Sequence, residues 1–324
     1  MPSIQAIRQA NTGIKELGPG LVGIFAGGTS GVGESTCREF VRNTRQPILY
    51  IIGQNQKKAS SITAELRAIN PEARINFLQS DLTLLSNVDS VCGEITAKEN
   101  VVNLLFLSPG FLSMKSRDET PEGLDRMFSI QYYSRMRFIV NLLPRLSQAS
   151  VTGQRARVVS VLGAGKEGKI LRNDLPLKDN YSFKNCVTQS ITFTTLAFEQ
   201  LAMANPGVEF IHTSPGVVRT NITRGFGPVV SLISRAILFL ASPLTVPVRE
   251  SGERHLYMAL GKRRSCEITQ QSGSEASTEN MYRLDWKCEA CNEDHTLQEY
   301  RQLGVGADVW KHTVAVFKDV CGDE

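Results

Sequence analysis

Short apolar runs alternate along the chain with longer stretches in which apolar residues recur every three or four positions. Residues 21–27 (LVGIFAG), 47–53 (PILYIIG), 74–82 (RINFLQSDL), 102–110 (VNLLFLSPG), 157–163 (RVVSVLG) and 208–216 (VEFIHTSPG) read as strands. Residues 33–43, 58–70, 88–99, 119–146 and 181–205 carry the helical period, and Pro71 stops the second of these. Strands apolar at consecutive positions are buried on both faces, which requires helices above and below a parallel sheet. Right-handed crossovers then predict an α/β, doubly wound, Rossmann-type sheet.

The pattern weakens past Pro215. Residues 265–280 are polar and Ser/Gly-rich, a loop or insert. MYRLDW (281–286) reads as a short edge strand, and 295–320 as one or two closing helices. The expected organisation is a lead-in helix over 1–19, one nucleotide-binding domain over 20–262, and an extension over 263–324 packed on the same domain. The most apolar long segment, 226–244, is interrupted by Arg235 and serines. No membrane-spanning helix is therefore expected, and 226–241 reads as a helix over the core or the cleft.

Composition changes this picture little. The 324 residues are 41% hydrophobic and 21% charged, which argues against disorder and coiled coil. The net charge of +4 is scattered, with no basic block to suggest nucleic acid. Seven widely spaced cysteines and a first segment without a continuous apolar core argue against secretion and for a reduced, cytoplasmic setting. Cys288 and Cys291 form a C-x-x-C with His295 beyond and Cys266 at an irregular distance, too incomplete a set for zinc, so no metal is expected. Asn221-Ile222-Thr223 matches a glycosylation triplet that a cytoplasmic setting makes inert.

The chemistry starts where the first strand meets the first long helix, at Gly27-Gly28-Thr29-Ser30-Gly31-Val32-Gly33. Glycines permit a tight turn and close backbone approach, and the helix N-terminus offers free N–H groups to a pyrophosphate. The second strand ends at Gly53-Gln54-Asn55-Gln56-Lys57-Lys58, with no acidic residue to receive ribose hydroxyls. Gln54 and Asn55 can donate hydrogen bonds and Lys57 can neutralise a 2′-phosphate, so NADP is favoured over NAD. Asp81-Leu82 follows the third strand and Leu107-Ser108-Pro109-Gly110 ends the fourth. Tyr181 and Lys184, three apart at the head of a helix, share a face. Beside a nicotinamide ribose, the lysine would lower the phenol pKa and let the tyrosine exchange a proton with a carbonyl or alcohol oxygen.

In this order the motifs resemble the short-chain dehydrogenase/reductase superfamily over roughly residues 20–260. The wording LSPG, RVVSVLGAGKEG, YSFK and HTSPGVVRT is similar to fungal members of secondary-metabolite pathways. The resemblance implies that Thr29, Ser30, Gly31 and Val32 line the phosphates and that Asp81 and Leu82 meet the adenine. It places Pro109 and Gly110 at the nicotinamide side, with Pro215, Gly216, Val218 and Thr220 over the carboxamide. It makes Tyr181 the acid/base and Lys184 the ribose anchor, and it implies a hydrophobic small-molecule substrate beneath a lid near 226–241.

Departures are equally plain. Ala26 stands for the usual threonine, and Gln131 for the usual helix asparagine. Leu162 and Gly163 occupy the positions of the usual serines, leaving Ser160 as the nearest hydroxyl. Two readings follow. One is an NADP(H)-dependent oxidoreductase acting between ketone and secondary alcohol. The other is a cofactor-binding protein with a redox-neutral, cyclase- or isomerase-like, or regulatory role. Superfamily members often assemble through the catalytic-helix region, and the extension could alter that, so a homo-oligomer stays open.

Overall fold

The computed structural model describes residues 1–218, 245–261 and 279–322. Helix α1 (Ile4–Thr12) leads into β1 (Val22–Ala26), α2 (Gly31–Asn43), β2 (Ile48–Gly53), α3 (Gln56–Ile69), β3 (Arg74–Gln79), α4 (Leu85–Thr96) and β4 (Leu104–Leu107). A short helix α5 (Arg126–Phe128), a π turn (Ser129–Tyr133) and α6 (Ser134–Val151) follow without a break. The chain continues through β5 (Arg157–Val161), α7 (Phe183–Ala204), β6 (Glu209–Thr213), α8 (Val248–Leu260), β7 (Met281–Leu284), α9 (His295–Gln302) and α10 (Val305–Cys321).

The strands form one parallel sheet in the order β3-β2-β1-β4-β5-β6-β7. Alternate residues of each strand enter opposite cores. Ile24, Tyr50, Leu105, Val158 and Phe210 pack with α4, α6 and α7. Phe25, Ile51, Phe106, Val159 and Ile211 pack with α2 and α8. Both faces are apolar, which is why the strand sequences show no polar alternation. The order reverses between β1 and β4, so a crevice opens at the C-terminal ends of these strands, the place where open α/β sheets bind ligands.

Two helices differ from the sequence expectation. The segment expected as one helix over 119–146 begins only at Arg126. Pro121 and Gly123 (φ 75°) make a turn, and the Asp125 carboxylate caps the start by accepting the Phe128 N–H at 2.8 Å. The helix expected from 181 begins at Phe183. Ser182 is extended (φ −148°, ψ 157°), and its Oγ accepts the Asn185 N–H at 3.1 Å.

The ends of the chain are tied to the same framework. Arg8 of α1 donates from Nε and Nη2 to Glu253 of α8, both at 3.0 Å. The expected edge strand is β7, paired to β6, and its Arg283 holds Glu167 at 2.8 and 2.9 Å. Helix α10 packs on α7 and reaches the π turn. Tyr132 Oη meets Thr313 Oγ1 at 2.6 Å, and Tyr133 Oη meets His312 Nε2 at 2.8 Å. No helix among the described residues is long and apolar enough to cross a membrane.

Candidate active site

The crevice is floored by residues 27–33. Gly27 has φ 83°, and a Cβ there would lie 2.7 Å from the Pro109 nitrogen. A Cβ on Gly33 would meet Ser108 Oγ and lie 2.5 Å from the Gly27 carbonyl oxygen. The loop therefore closes against the exit of β4, and side chains at these positions would force it open. Ser30 is the N-cap of α2 but makes no side-chain capping bond, so its hydroxyl leaves the first-turn N–H groups to another acceptor. A cradle that Cβ atoms would fill, at the uncapped N-terminus of a 13-residue helix, fits a pyrophosphate. Thr29 is buried against Gly53, where a Cβ would come 2.7 Å from Thr29 Oγ1, so the loop packs closely on the end of β2.

At the end of β2, Asn55 Oδ1 accepts the Lys58 N–H at 2.9 Å and caps α3. Lys57 and Lys58 are exposed. Gln54 lines a cleft of about 630 Å³ together with Ser80, Asp81, Asn87, Val91 and Glu94. Asp81 closes a turn: its Oδ1 accepts from the Thr83 N–H at 3.0 Å and from Thr83 Oγ1 at 2.8 Å, while Leu84 takes the cap position of α4. Leu82 is buried.

At the ends of β4 and β5 the dominant group is one that the sequence pattern did not single out. Arg135 is 2% exposed. Its Nη1 donates to Ser160 Oγ at 2.7 Å and to the Val161 carbonyl at 2.9 Å, and its Nη2 donates to the Pro109 carbonyl at 2.6 Å. Ser160 is thereby placed inside β5, accepting from this guanidinium. Gln131 lies on the π turn, four residues before Arg135, with Nε2 donating to the Phe111 carbonyl at 3.1 Å. Single π turns inside α-helices often mark functional positions. A Cβ on Gly163, at the usual serine position, would lie 2.6 Å from Ile191 Cδ1, so α7 fills the space a serine would need. The Gly163 N–H donates to His212 Nε2 at 3.4 Å.

Tyr181 and Lys184 do not share the helix that their spacing implied. Ser182 caps α7, so Tyr181 stands outside the helix while Lys184 lies in its first turn, exposed. Burial, with Cys186 and Asp125 alongside, pushes the Tyr181 phenol up from its ordinary value of 10.0. That direction is opposite to the one a neighbouring lysine would give. Asp125, Cys186 and Arg135 are thus the groups that sequence reasoning missed. The one available signal was an arginine one helical turn past Gln131 on a segment otherwise facing the core.

The segment after β6 turns at Gly216 (φ 70°), where a Cβ would lie 2.8 Å from Trp286 Cγ, and Val218 bridges to Val246. Val217, beside Pro215 and Gly216, is 53% exposed, and Met114 on the loop after β4 is 65% exposed. The Cys288 thiol lies 3.9 Å from the Arg254 carbonyl, whereas Cys291 faces Gly165. Thr220, the expected lid over 226–241, the triplet at 221–223 and Cys266 lie outside the described residues.

A family described as short chain dehydrogenase matches residues 22–228. Oxidoreductase AN1596 of Emericella nidulans is 38% identical, over 97% of this chain and 97% of its own length. Oxidoreductase lepF of Aspergillus flavus is 32% identical, over 99% of this chain and 98% of its own. Among solved structures, the RhlG/NADP complex of Pseudomonas aeruginosa superposes with a TM-score of 0.59 at 14% identity, over 76% of this chain and 91% of that one.

Proposed function

This chain belongs to the short-chain dehydrogenase family, and from that premise we propose that it is an NADP(H)-dependent oxidoreductase interconverting a ketone and a secondary alcohol on a hydrophobic small molecule. The observation that carries the reading is the glycine loop closed on Ser108 and Pro109 beneath the uncapped N-terminus of α2. Gly31, Val32 and Gly33 would hold the pyrophosphate. Asp81 and Leu82 would border the adenine, with Gln54, Asn55 and Lys57 at the 2′-phosphate. Pro109, Gly110, Pro215, Gly216 and Val218 would border the nicotinamide. The absence of an acidic side chain at 53–58 supports NADP over NAD, because nothing there repels a phosphate.

The bound cofactor supplies or accepts the hydride. The rest falls to side chains. Tyr181 is the proposed proton donor to the oxygen of a carbonyl being reduced; burial beside Asp125 and Cys186 keeps its phenol protonated and a weaker acid than usual, so the donation relies on the negative charge that develops on that oxygen. Lys184, at the head of α7, would reach the ribose only from its exposed position. Gln131 and Ser160 act through their neighbours, fixing the Phe111 carbonyl and the Arg135 guanidinium. Exposed Met114 and Val217 at the mouth favour an apolar substrate, of the kind handled in fungal secondary-metabolite pathways.

Nicotinamide-fluorescence titration with NADPH and, separately, NADH tests the cofactor half of this reading. NADPH is expected to bind more tightly. Ketone reduction is then compared between the wild type and Tyr181→Phe, with a loss of at least 100-fold expected for the variant. Reduction that persists at the wild-type rate in Tyr181→Phe removes the tyrosine from the chemistry. Binding without any turnover moves the weight to a redox-neutral or regulatory role, for which the glycine at the serine position is the favouring observation.

A further inference from the structure

Arginine is almost never fully buried without a carboxylate or other anion beside it, because its charge must then be carried by neutral dipoles alone. Arg135 is such a case. Its guanidinium donates to the carbonyls of Leu107, Pro109, Ile130 and Val161 and to Ser160 Oγ, at 2.6–3.4 Å. Among the described residues no Asp or Glu bonds to it or forms an ion pair with it. The titratable group that feels it is His212, and burial holds that imidazole neutral down to about pH 3. Burial pulls the guanidinium itself down to about 9, so at neutral pH it remains charged.

The place matters as much as the charge. Nη2 sits directly under the turn at Pro109 and Gly110, and a Cβ on Gly110 would have only this nitrogen within 4 Å, at 3.9 Å. The proposed function assigns that turn to the nicotinamide half of the cofactor. An oxidised nicotinamide ring carries a positive charge and a reduced one does not. A fixed positive charge in a low-dielectric interior therefore raises the energy of the oxidised form relative to the reduced form.

We propose that Arg135 is an electrostatic positioning residue that biases the site toward the reduced cofactor, so that the chain binds NADPH more tightly than NADP⁺ and is poised for reduction. The inference rests on the cofactor reading above, and it explains why a site without the usual serine keeps a buried cation at the ends of β4 and β5. The 2′-phosphate and the adenine are common to both forms, so the ratio of the two dissociation constants isolates the ring.

The test is calorimetric or fluorescence titration of NADPH and NADP⁺ on the wild type, Arg135→Lys and Arg135→Met, with thermal melts of each. The wild type is expected to favour NADPH. Arg135→Met is expected to lower that preference by roughly three- to thirtyfold, the range for one unit charge acting through protein of effective dielectric about 20. Arg135→Lys, which keeps the charge but loses most of the hydrogen bonds, should retain the preference while melting earlier. A ratio that falls equally in the lysine and methionine variants overturns the inference, because the effect then belongs to packing. Equal wild-type affinity for both forms also overturns it, even if neither variant folds, and leaves the cofactor reading standing. Failure of the folded wild type to bind either form removes the cofactor reading and this inference with it.

Discussion

His212 and His255 are fully buried, and burial lowers both from 6.5, to about 3 and about 4. His212 is wired into a chain of polar groups. It accepts the Gly163 N–H on Nε2, and its Nδ1 lies 2.8 Å from Thr195 Oγ1, which donates to Glu167 at 2.7 Å. His255 has Nδ1 2.6 Å from the Ser251 carbonyl and no partner for Nε2 among the described residues. Below pH 6.5 the unfolded chain takes up protons on these rings while the native chain does not, so stability falls as pH drops from about 6.5 to about 4. Each histidine contributes on the order of 2 kcal/mol to that loss between pH 6.5 and 4.5. Urea unfolding at pH 7 and pH 4.5 checks this: His255→Phe, which keeps the ring against Phe106, should lose clearly less stability on acidification than the wild type. An equal loss would mean that His255 already titrates normally in the folded state.

At the scale of elements, the glycine loop was legible in the sequence because its function is a backbone shape, and backbone shape is written in glycine spacing. The central strands were legible for a similar reason, since burial on both faces leaves a continuous apolar run, whereas the edge strand β7 and the one or two closing helices are read from shorter and more polar patterns. By their spacing Tyr181 and Lys184 read as one helical face, whereas Ser182, the residue after Tyr181, is the N-cap of α7, so Tyr181 precedes the helix and Lys184 lies within it. Arg135 was not legible, because only the fold shows that its side chain turns inward beneath Pro109. Gly27→Ala tests the loop. It combines φ 83° with a Cβ 2.7 Å from the Pro109 nitrogen, so a destabilisation of about 2 kcal/mol or more and loss of NADPH binding are expected. The serine position gives a companion test. Gly163→Ser alone should destabilise through Ile191, and adding Ile191→Val should recover part of the loss, as a double-mutant cycle of melting curves would show. Additive effects would mean that α7 yields without cost.

At the scale of the whole molecule, the described C-terminal residues pack against the elements that carry the proposed site, although none of their side chains is assigned to the cofactor. The π turn carrying Gln131 is held from outside by α10, through Tyr132 to Thr313 and Tyr133 to His312, and the adjoining α6 meets α10 where Arg137 lies over the Phe317 ring at 5.4 Å. Phe128 and Phe193 complete an aromatic cluster between α5, the π turn and α7. A π turn has poorer internal hydrogen bonding than the α-helix around it, so it persists only where its surroundings hold it. Removing residues 303–324 would uncover Tyr132, Phe193 and Val309's neighbours on α7, and it should lower the melting temperature by well over 5 °C. A gentler probe separates support from simple stability. Tyr133→Phe removes one end of this bond, and His312→Ala removes the other together with the imidazole's contacts on the Tyr133 and Phe193 rings; their double-mutant cycle should show a coupling of about 1 kcal/mol. If α10 supports the π turn, both single variants should also lower kcat for ketone reduction with little change in the NADPH dissociation constant. A melting-temperature drop with kcat unchanged would show that the extension holds the fold together without holding the site.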